Sequence, residues 1–103
     1  MDLGALQRGI DAAVTATADG YWPPLANLAR LTEEVGELAR AVNQAAGPKH
    51  PKPGEAVAEV EAEMGDVLFT LALLANQMGV ELAAAADGAL RRFRERAAPP
   101  AQG

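Results

Sequence analysis

The sequence contains no cysteine, a single histidine and only four aromatic residues. Without cysteine the chain cannot form disulfides, thiolate metal sites or a cysteine nucleophile, and one histidine is too few for a histidine-rich zinc site. Scarce aromatic residues, in an apolar half made mostly of Ala, Leu and Val, favour closely packed helices over a β-sandwich. A length of 103 residues predicts one small domain that depends on tight packing or on a partner.

Long apolar runs and positive charge are also lacking. No segment approaches the length of a membrane span and the N-terminus has no signal-peptide core, so we expect a cytoplasmic protein without a membrane partner. The 14 acidic residues outnumber the 9 basic ones, for a net charge of −5. Proteins that bind a nucleic-acid polymer usually have the opposite balance, so we expect no such partner.

The charges are unevenly placed along the chain. Eight acidic residues fall between Glu33 and Asp66, and four basic residues fall between Arg91 and Arg96. An acidic centre with a basic C-terminal segment suits a metal-bridged polyphosphate better than a long polyanion. The arginines themselves have two interpretations: solvated charges that suit a helix C-terminus, or ligands for phosphate.

Apolar residues recur at helical spacing in four segments, which predict helices over residues 2–17, 24–45, 55–78 and 81–96. Proline and glycine interrupt the pattern between them. The loop between the second and third helices contains His50, which we expect to be solvated, and residues 97–103 are expected to form a flexible tail. The predicted fold is therefore all-α, with one domain over residues 1–96.

Each of the last three helices has a predicted core seam of apolar residues. The seams comprise Leu28, Leu31, Val35, Leu38 and Val42 in the second helix; Val57, Val60, Met64, Val67, Leu71, Leu74 and Met78 in the third; and Leu82, Ala86, Ala89, Leu90 and Phe93 in the fourth. The third helix is apolar on more than one side in its second half, which indicates burial on several sides. We therefore expect a second chain to complete the core.

The second helix carries three carboxylates within five residues: Glu33, Glu34 and Glu37. Like charges three and four residues apart repel each other on a helix. No Lys or Arg follows four residues after Glu33 or Glu34 to relieve that repulsion. A bound cation is the simplest compensation.

A second acidic stripe lies on the third helix, at positions 59, 63, 66, 70, 73 and 77. This stripe turns apolar at Leu73, so it is not a solvated face along its whole length, and we expect Glu63 and Asp66 to point into a helix–helix interface. Burial of several carboxylates without compensation is costly. Oxygen ligands without His or Cys favour Mg²⁺, with Mn²⁺ as a substitute, and Mg²⁺ is usually completed by water and substrate phosphates.

Two aromatic residues adjoin each other in the turn Tyr21-Trp22-Pro23-Pro24. Trp22 has two interpretations: it plugs the end of a helix bundle, or it stacks on the ring of a ligand.

At the acidic residues the sequence resembles a known family. Glu33-Glu34-x-x-Glu37 followed by Glu63-x-x-Asp66 resembles the E-E-x-x-E … E-x-x-D signature of the MazG family of nucleoside triphosphate pyrophosphohydrolases, which belongs to the all-α NTP pyrophosphatase superfamily. The flanking segments LTEEVGELAR (31–40) and EMGDVLFTLALLANQMGV (63–80) support the resemblance. The chain is most similar to short, single-domain members of the YpjD type, over residues 6–96.

The resemblance implies a four-helix MazG-like bundle completed by dimerisation, as a dimer or a dimer of dimers. It also implies hydrolysis of an NTP or dNTP to the monophosphate and pyrophosphate, with Mg²⁺ as cofactor and a role in removing unwanted nucleotides. The implied roles are metal binding by Glu34, Glu37, Glu63 and Asp66, activation of water by Glu33, and substrate contact by Asn27, Trp22, Asn76, Arg92 and Arg96. Family members more often have Lys in the last helix, where this chain has Arg, which can still clamp phosphate.

Two other functions remain open on the sequence. One is a non-catalytic helical oligomer that binds a nucleotide or a protein, which would not need Mg²⁺. The other is a structural bundle whose acidic residues are surface charge, for which neutralising Glu34 and Glu63 together would be neutral or stabilising.

Overall fold

The computed structural model describes residues 1–47 and 55–100, and over those residues every regular element is an α-helix. The all-α prediction is confirmed, and the predicted helix ends agree with the observed ones to within two residues. His50 and its loop lie outside the described residues, as do the last three residues of the predicted tail and the side chain of Val57. The helices are α1 (Leu3–Thr15), α2 (Pro24–Ala46), α3 (Glu55–Met78) and α4 (Leu82–Ala97).

Local sequence explains where these helices begin and end. Asp2 caps α1, because its Oδ1 accepts a hydrogen bond from the Ala5 backbone N–H at 2.7 Å. Pro24 occupies the first turn of α2, where no backbone N–H is needed. Gly79 follows α3 with φ of +67°, a left-handed conformation that glycine adopts without strain. The chain then bends by 107° between α3 and α4.

The helices α2 and α3 form an antiparallel pair. A hydrogen bond of 2.8 Å joins Asn27, near the start of α2, to Gln77, near the end of α3. A second bond of 3.2 Å joins Arg40, in the second half of α2, to Glu59, in the first turns of α3. Helix α1 packs against α3, and α4 contacts α1. The core lies between α1 and α3, where Ile10, Ala72 and Leu73 are buried.

The side of α2 that meets α3 is not the predicted seam. The buried residues of α2 are Asn27 and Ala41, both on the neighbouring stripe, whereas Leu28, Val35 and Val42 are 47%, 48% and 42% exposed. Leu31 and Leu38, which belong to the predicted seam, are half-buried. Leu28, Val35 and Val42 are therefore not core residues of the single chain, because α3 packs on the adjacent stripe that carries Asn27, Glu34 and Ala41.

The predicted seams of α3 and α4 are also partly uncovered. Met64, Leu71 and Met78 are exposed on α3, and the stripe that continues from Glu63 carries the buried Thr70 and Leu73 instead. On α4 only Gly88 is buried. Ala86, Ala89, Leu90 and Phe93 all face solvent in the single chain.

The single chain is extended for its length. Its radius of gyration is 17.4 Å, against about 13 Å for a compact domain of this size. This extended shape and the uncovered apolar residues of α2, α3 and α4 indicate that the single chain has only a small hydrophobic core.

Among the described residues, none of the helices taken singly has the length and apolar composition to cross a membrane. One bent pair meets that test together, formed by Ala58–Met78 and Leu82–Ala97.

Candidate functional site

Three of the predicted metal ligands lie together between α2 and α3. Glu34 on α2 and Glu63 and Asp66 on α3 each offer one carboxylate oxygen, and these oxygens lie within 4.8 Å of one another. The spacing of three residues places Glu63 and Asp66 on one face of α3, and the antiparallel packing brings Glu34 opposite them. Glu34 and Glu63 are half-buried and Asp66 is exposed. We call these three residues the carboxylate cluster.

The cluster is electrostatically unfavourable without a cation. The pKa of Glu63 is raised, first by loss of solvent around its carboxyl group and then by the negative charges of Asp66, Glu37 and Glu34. Arg40 acts in the opposite direction, because its positive charge lowers the same pKa. Within the described residues no salt bridge joins a member of the cluster to a basic side chain.

Glu37, the fourth predicted ligand, is held by a different partner. Its Oε2 accepts a hydrogen bond from Arg40 Nε at 3.1 Å. Arg40 Nη2 in turn lies 3.2 Å from Glu59 Oε1 on α3. Glu37 is near enough to the cluster to raise the pKa of Glu63, but its carboxylate is not part of the group of three.

The donor set of the cluster fits a hard divalent cation. All three donors are carboxylate oxygens, which are preferred ligands of Mg²⁺ and Mn²⁺. Zinc sites usually contain His or Cys, and the cluster has neither. In an octahedral Mg²⁺ site with Mg–O distances of about 2.1 Å, bound oxygens lie about 3 to 4 Å apart. The oxygens of the cluster lie within 4.8 Å of one another, so their number and spacing fit one such ion.

Glu33, the predicted activator of water, precedes Glu34 and is exposed. Successive residues of a helix differ by about 100° around its axis, so Glu33 lies at the edge of the surface that carries the cluster rather than within it. Its role in catalysis stays a prediction.

A cavity of about 260 Å³ lies next to the cluster, between the end of α1, the following turn, and the facing parts of α2 and α3. Arg30, one helical turn before Glu34, and Phe69, one turn after Asp66, both line it. Its lining residues are Val14, Thr17, Gly20, Tyr21, Trp22, Asn27, Arg30, Phe69 and Leu73.

Trp22 and Arg30 form a cation–π pair at the mouth of this cavity. The Arg30 guanidinium carbon lies 5.9 Å from the centroid of the Trp22 ring. Trp22 is 52% exposed in the single chain and lies in the cavity lining. Its stacking on a ligand ring stays a prediction.

Asn27 is 2% exposed and holds the turn before α2. Its Nδ2 donates to the Trp22 carbonyl oxygen at 3.1 Å and to Gln77 Oε1 at 2.8 Å. Gln77 Nε2 donates to the same carbonyl oxygen at 2.6 Å. Asn27 therefore fixes Trp22 relative to α3, and it also lines the cavity. Direct contact with substrate stays a prediction.

Asn76 connects α1 to α3. Its Nδ2 donates to the Gln7 carbonyl oxygen at 2.9 Å and to the Tyr21 hydroxyl at 3.1 Å, and its Oδ1 accepts from Gln7 Nε2 at 3.1 Å. The amide group is thus engaged within the fold, and its predicted contact with substrate stays a prediction.

Arg92 and Arg96 lie exposed on α4, which contacts α1. The single chain brings neither residue into the carboxylate cluster or the cavity lining. Their predicted contact with phosphate also stays a prediction.

The sequence of this chain matches a known protein family. Residues 23–99 match the model of the MazG nucleotide pyrophosphohydrolase domain, and this range includes the whole carboxylate cluster. The chain belongs to the MazG nucleotide pyrophosphohydrolase family. The coarse prediction of a nucleotide pyrophosphohydrolase is thereby confirmed.

Relatives of this MazG domain support the assignment over nearly the whole chain. The uncharacterised protein YpjD of Bacillus subtilis (strain 168) is 44% identical over 91 residues, which cover 88% of this chain and 82% of YpjD. The crystal structure of YpjD from Bacillus subtilis superposes with a TM-score of 0.80 at 42% identity, covering 90% of this chain and 95% of that one. The crystal structure of the Bacillus-conserved MazG protein, a nucleotide pyrophosphohydrolase, gives 0.77 at 36% identity, covering 90% of both chains.

Sequence reasoning missed three residues around the site of this MazG domain. Arg30 lies four residues before Glu34, so its place beside the acidic stripe was visible, but its contact with Trp22 was not. Arg40 lies three residues after Glu37, a spacing that allows an ion pair on a helix. The contact of Gln77 with Asn27 could not be predicted from local spacing, because this hydrogen bond depends on the register of the antiparallel helices.

Proposed function

We propose that this MazG domain hydrolyses nucleoside triphosphates, ribo- or deoxyribo-, between the α- and β-phosphates and releases the monophosphate and pyrophosphate. The observation that carries the proposal is the grouping of Glu34, Glu63 and Asp66 within 4.8 Å, in a domain of the nucleotide pyrophosphohydrolase family. A cluster of carboxylates repels a polyphosphate unless a cation lies between them. Hydrolysis of a nucleotide polyphosphate at a bound divalent ion is the reaction that fits both the carboxylate cluster and the family.

The cation in this proposal is Mg²⁺, with Mn²⁺ as a substitute. Glu34, Glu63 and Asp66 would hold it, with Glu37 as a fourth ligand in place of its bond to Arg40. When bound, the ion polarises a phosphoryl oxygen and offsets the charge that develops on the departing pyrophosphate.

The remaining residues act on water and on the nucleoside. Glu33 accepts the proton of the attacking water, or orients that water, from the edge of the cluster. Trp22 stacks on the base in the cavity beside the cluster, and Asn27 holds Trp22 in place and contacts the nucleotide. Asn76, Arg92 and Arg96 are retained as substrate contacts on the family resemblance alone.

A second copy of the chain completes the domain in this proposal, as a homodimer or a dimer of dimers. The support is the uncovered apolar surface on α2, α3 and α4, which includes Val35 at 48% and Phe93 at 61% exposure. Monomeric proteins rarely leave such surface contiguous and open to water. The physiological role is the removal of unwanted nucleotides in the cytoplasm.

A nucleotide panel tests the reaction. Purified protein is incubated with the common and modified NTPs and dNTPs with Mg²⁺, and pyrophosphate and orthophosphate are measured separately. We expect pyrophosphate with the matching monophosphate for at least one substrate. Release of orthophosphate with the diphosphate, or no release across the panel, would contradict the proposed cleavage.

A further inference from the structure

Arg40 joins the two helices of the site at the end where Glu37 and Glu59 lie. Its Nε is 3.1 Å from Glu37 Oε2 on α2, and its Nη2 is 3.2 Å from Glu59 Oε1 on α3. Its Nη1 lies 3.4 Å from Gln44 Oε1. Among the described residues, Arg40 is the one base that pairs with a predicted metal ligand.

The charge of Arg40 acts on the cluster as well as on Glu37. Of the groups that act on the Glu63 carboxyl, Arg40 alone lowers its pKa, whereas Asp66, Glu37 and Glu34 raise it. Glu37 follows Glu34 by three residues and so shares its side of α2. Arg40 thus occupies one of the four predicted ligands and supplies positive charge where the metal is proposed to bind.

We propose that Arg40 is an internal counter-ion of the metal centre, which competes with the divalent cation for Glu37. Glu37 would leave Arg40 to ligate a bound cation, and Arg40 would stay paired with Glu59. This inference rests on the proposed metal site.

The exposure of the pair makes such an exchange feasible. The side chains of Arg40 and Glu37 are 49% and 54% exposed, and exposed ion pairs of this kind are weak. A divalent ion carries twice the charge of a guanidinium and binds the carboxylate oxygen directly. The pairing with Glu59, at 41% side-chain exposure, is left intact by the exchange.

The test is a calorimetric titration of Mg²⁺ into the full chain without nucleotide, at fixed ionic strength. Arg40→Gln removes the competitor and one positive charge, so we expect Mg²⁺ to bind about three- to tenfold more tightly than to the wild type. Arg8→Gln is the matched control, because Arg8 is an exposed residue of α1 and its loss changes the net charge equally. We expect no measurable change in affinity for the control.

Competition for Glu37 is separated from a general effect of charge by repeating the comparison in a Glu37→Gln background. If Arg40 acts by holding Glu37, the gain in affinity from Arg40→Gln falls there to less than half of the gain in the wild-type background, and the remainder is the effect of its charge on Glu63. A gain without Glu37 that is half or more of the gain with it would overturn the inference, as would unchanged or weaker binding by the Arg40→Gln variant in the wild-type background. If neither the wild type nor the variant binds Mg²⁺ or Mn²⁺, the proposed metal site is wrong and the inference falls with it. If both bind the ion with equal affinity, the metal site stands and only the role of Arg40 is wrong.

Discussion

Replacement of Asn27 by Ala tests whether this residue serves the fold, as its buried contacts indicate. The substitution removes the donor of two hydrogen bonds, at 3.1 Å to the Trp22 carbonyl and at 2.8 Å to Gln77 Oε1. Because Asn27 is 2% exposed, little water is available to replace the lost amide. Gln77 still donates to the Trp22 carbonyl, so the turn is weakened and not released.

The expected cost follows from these two bonds. A net hydrogen bond contributes about 1 kcal/mol, and a buried acceptor left unpaired adds to the loss. We therefore expect the free energy of unfolding to fall by about 2 kcal/mol. For a domain of this size each kcal/mol lowers the melting temperature by about 4 to 8 °C.

Thermal and urea denaturation measure the change, at one protein concentration so that any association equilibrium is held fixed. Asn43→Ala is the matched control, since Asn43 is an exposed residue of the same helix, and its loss should change stability by less than about 0.5 kcal/mol. A loss of stability no larger for Asn27→Ala than for the control would refute the structural role assigned to Asn27.

Three further predictions concern other parts of the molecule. Val35→Asp places a charge on the uncovered stripe of α2, so size-exclusion chromatography with light scattering should show dimers or tetramers of the wild type and monomers of the variant; a monomeric wild type would contradict the proposed assembly. Glu63→Gln should raise the melting temperature without metal, because loss of solvent and the neighbouring negative charges raise the pKa of Glu63 and so disfavour its charged form in the folded state. The variant should also lose stabilisation by Mg²⁺, because it lacks one proposed ligand. Because the pKa of Glu63 is raised, the metal-free wild type should gain stability as the pH falls through the folded-state pKa of Glu63 towards its ordinary value, and the Gln variant should lack that gain in denaturation curves. Gly79→Ala should cost about 1 kcal/mol in denaturation, because the position has φ of +67° with no atom within 4 Å of an added Cβ; no measurable loss would show that the turn relaxes.

The helices were predictable because their signals are local. Apolar spacing, Asp2 as a cap, Pro24 in a first turn and Gly79 after a last turn each act within a few residues. All four helices agree with the prediction to within two residues at each end.

The core seams were not predictable from spacing alone. The larger apolar side chains of α2 form one stripe, but α3 packs on the adjacent stripe, which carries Asn27, Glu34 and Ala41. The stripe with Asn27 and Ala41 packs within the chain, whereas Leu28 and Val35 remain exposed. Apolar spacing alone therefore does not show which stripe of a helix packs within its own chain.

The site was predictable where it rests on helical spacing and not where it rests on register. Glu63 and Asp66 share a face of α3 by their separation, whereas their meeting with Glu34 also depends on the register of α2 against α3. The engagement of Asn27 with Gln77 required the registry of two helices, which no local pattern specifies. The pairing of Arg40 with Glu37 is local and follows from their spacing of three residues, which allows an ion pair on a helix.

Pyrophosphate release by carboxylate variants tests most directly whether the cluster holds the cation that the reaction needs. Glu34→Gln and Glu63→Gln are compared with Glu61→Gln, which removes an exposed carboxylate from α3 outside the cluster. With Mg²⁺ and the best substrate of the panel, we expect the two cluster variants to lose at least 100-fold in kcat/KM, as is typical when a major electrostatic contact is removed, and the Glu61 variant to match the wild type. Equal activity of all three variants, or activity of the wild type that survives complete removal of divalent ions, would contradict a metal centre at Glu34, Glu63 and Asp66.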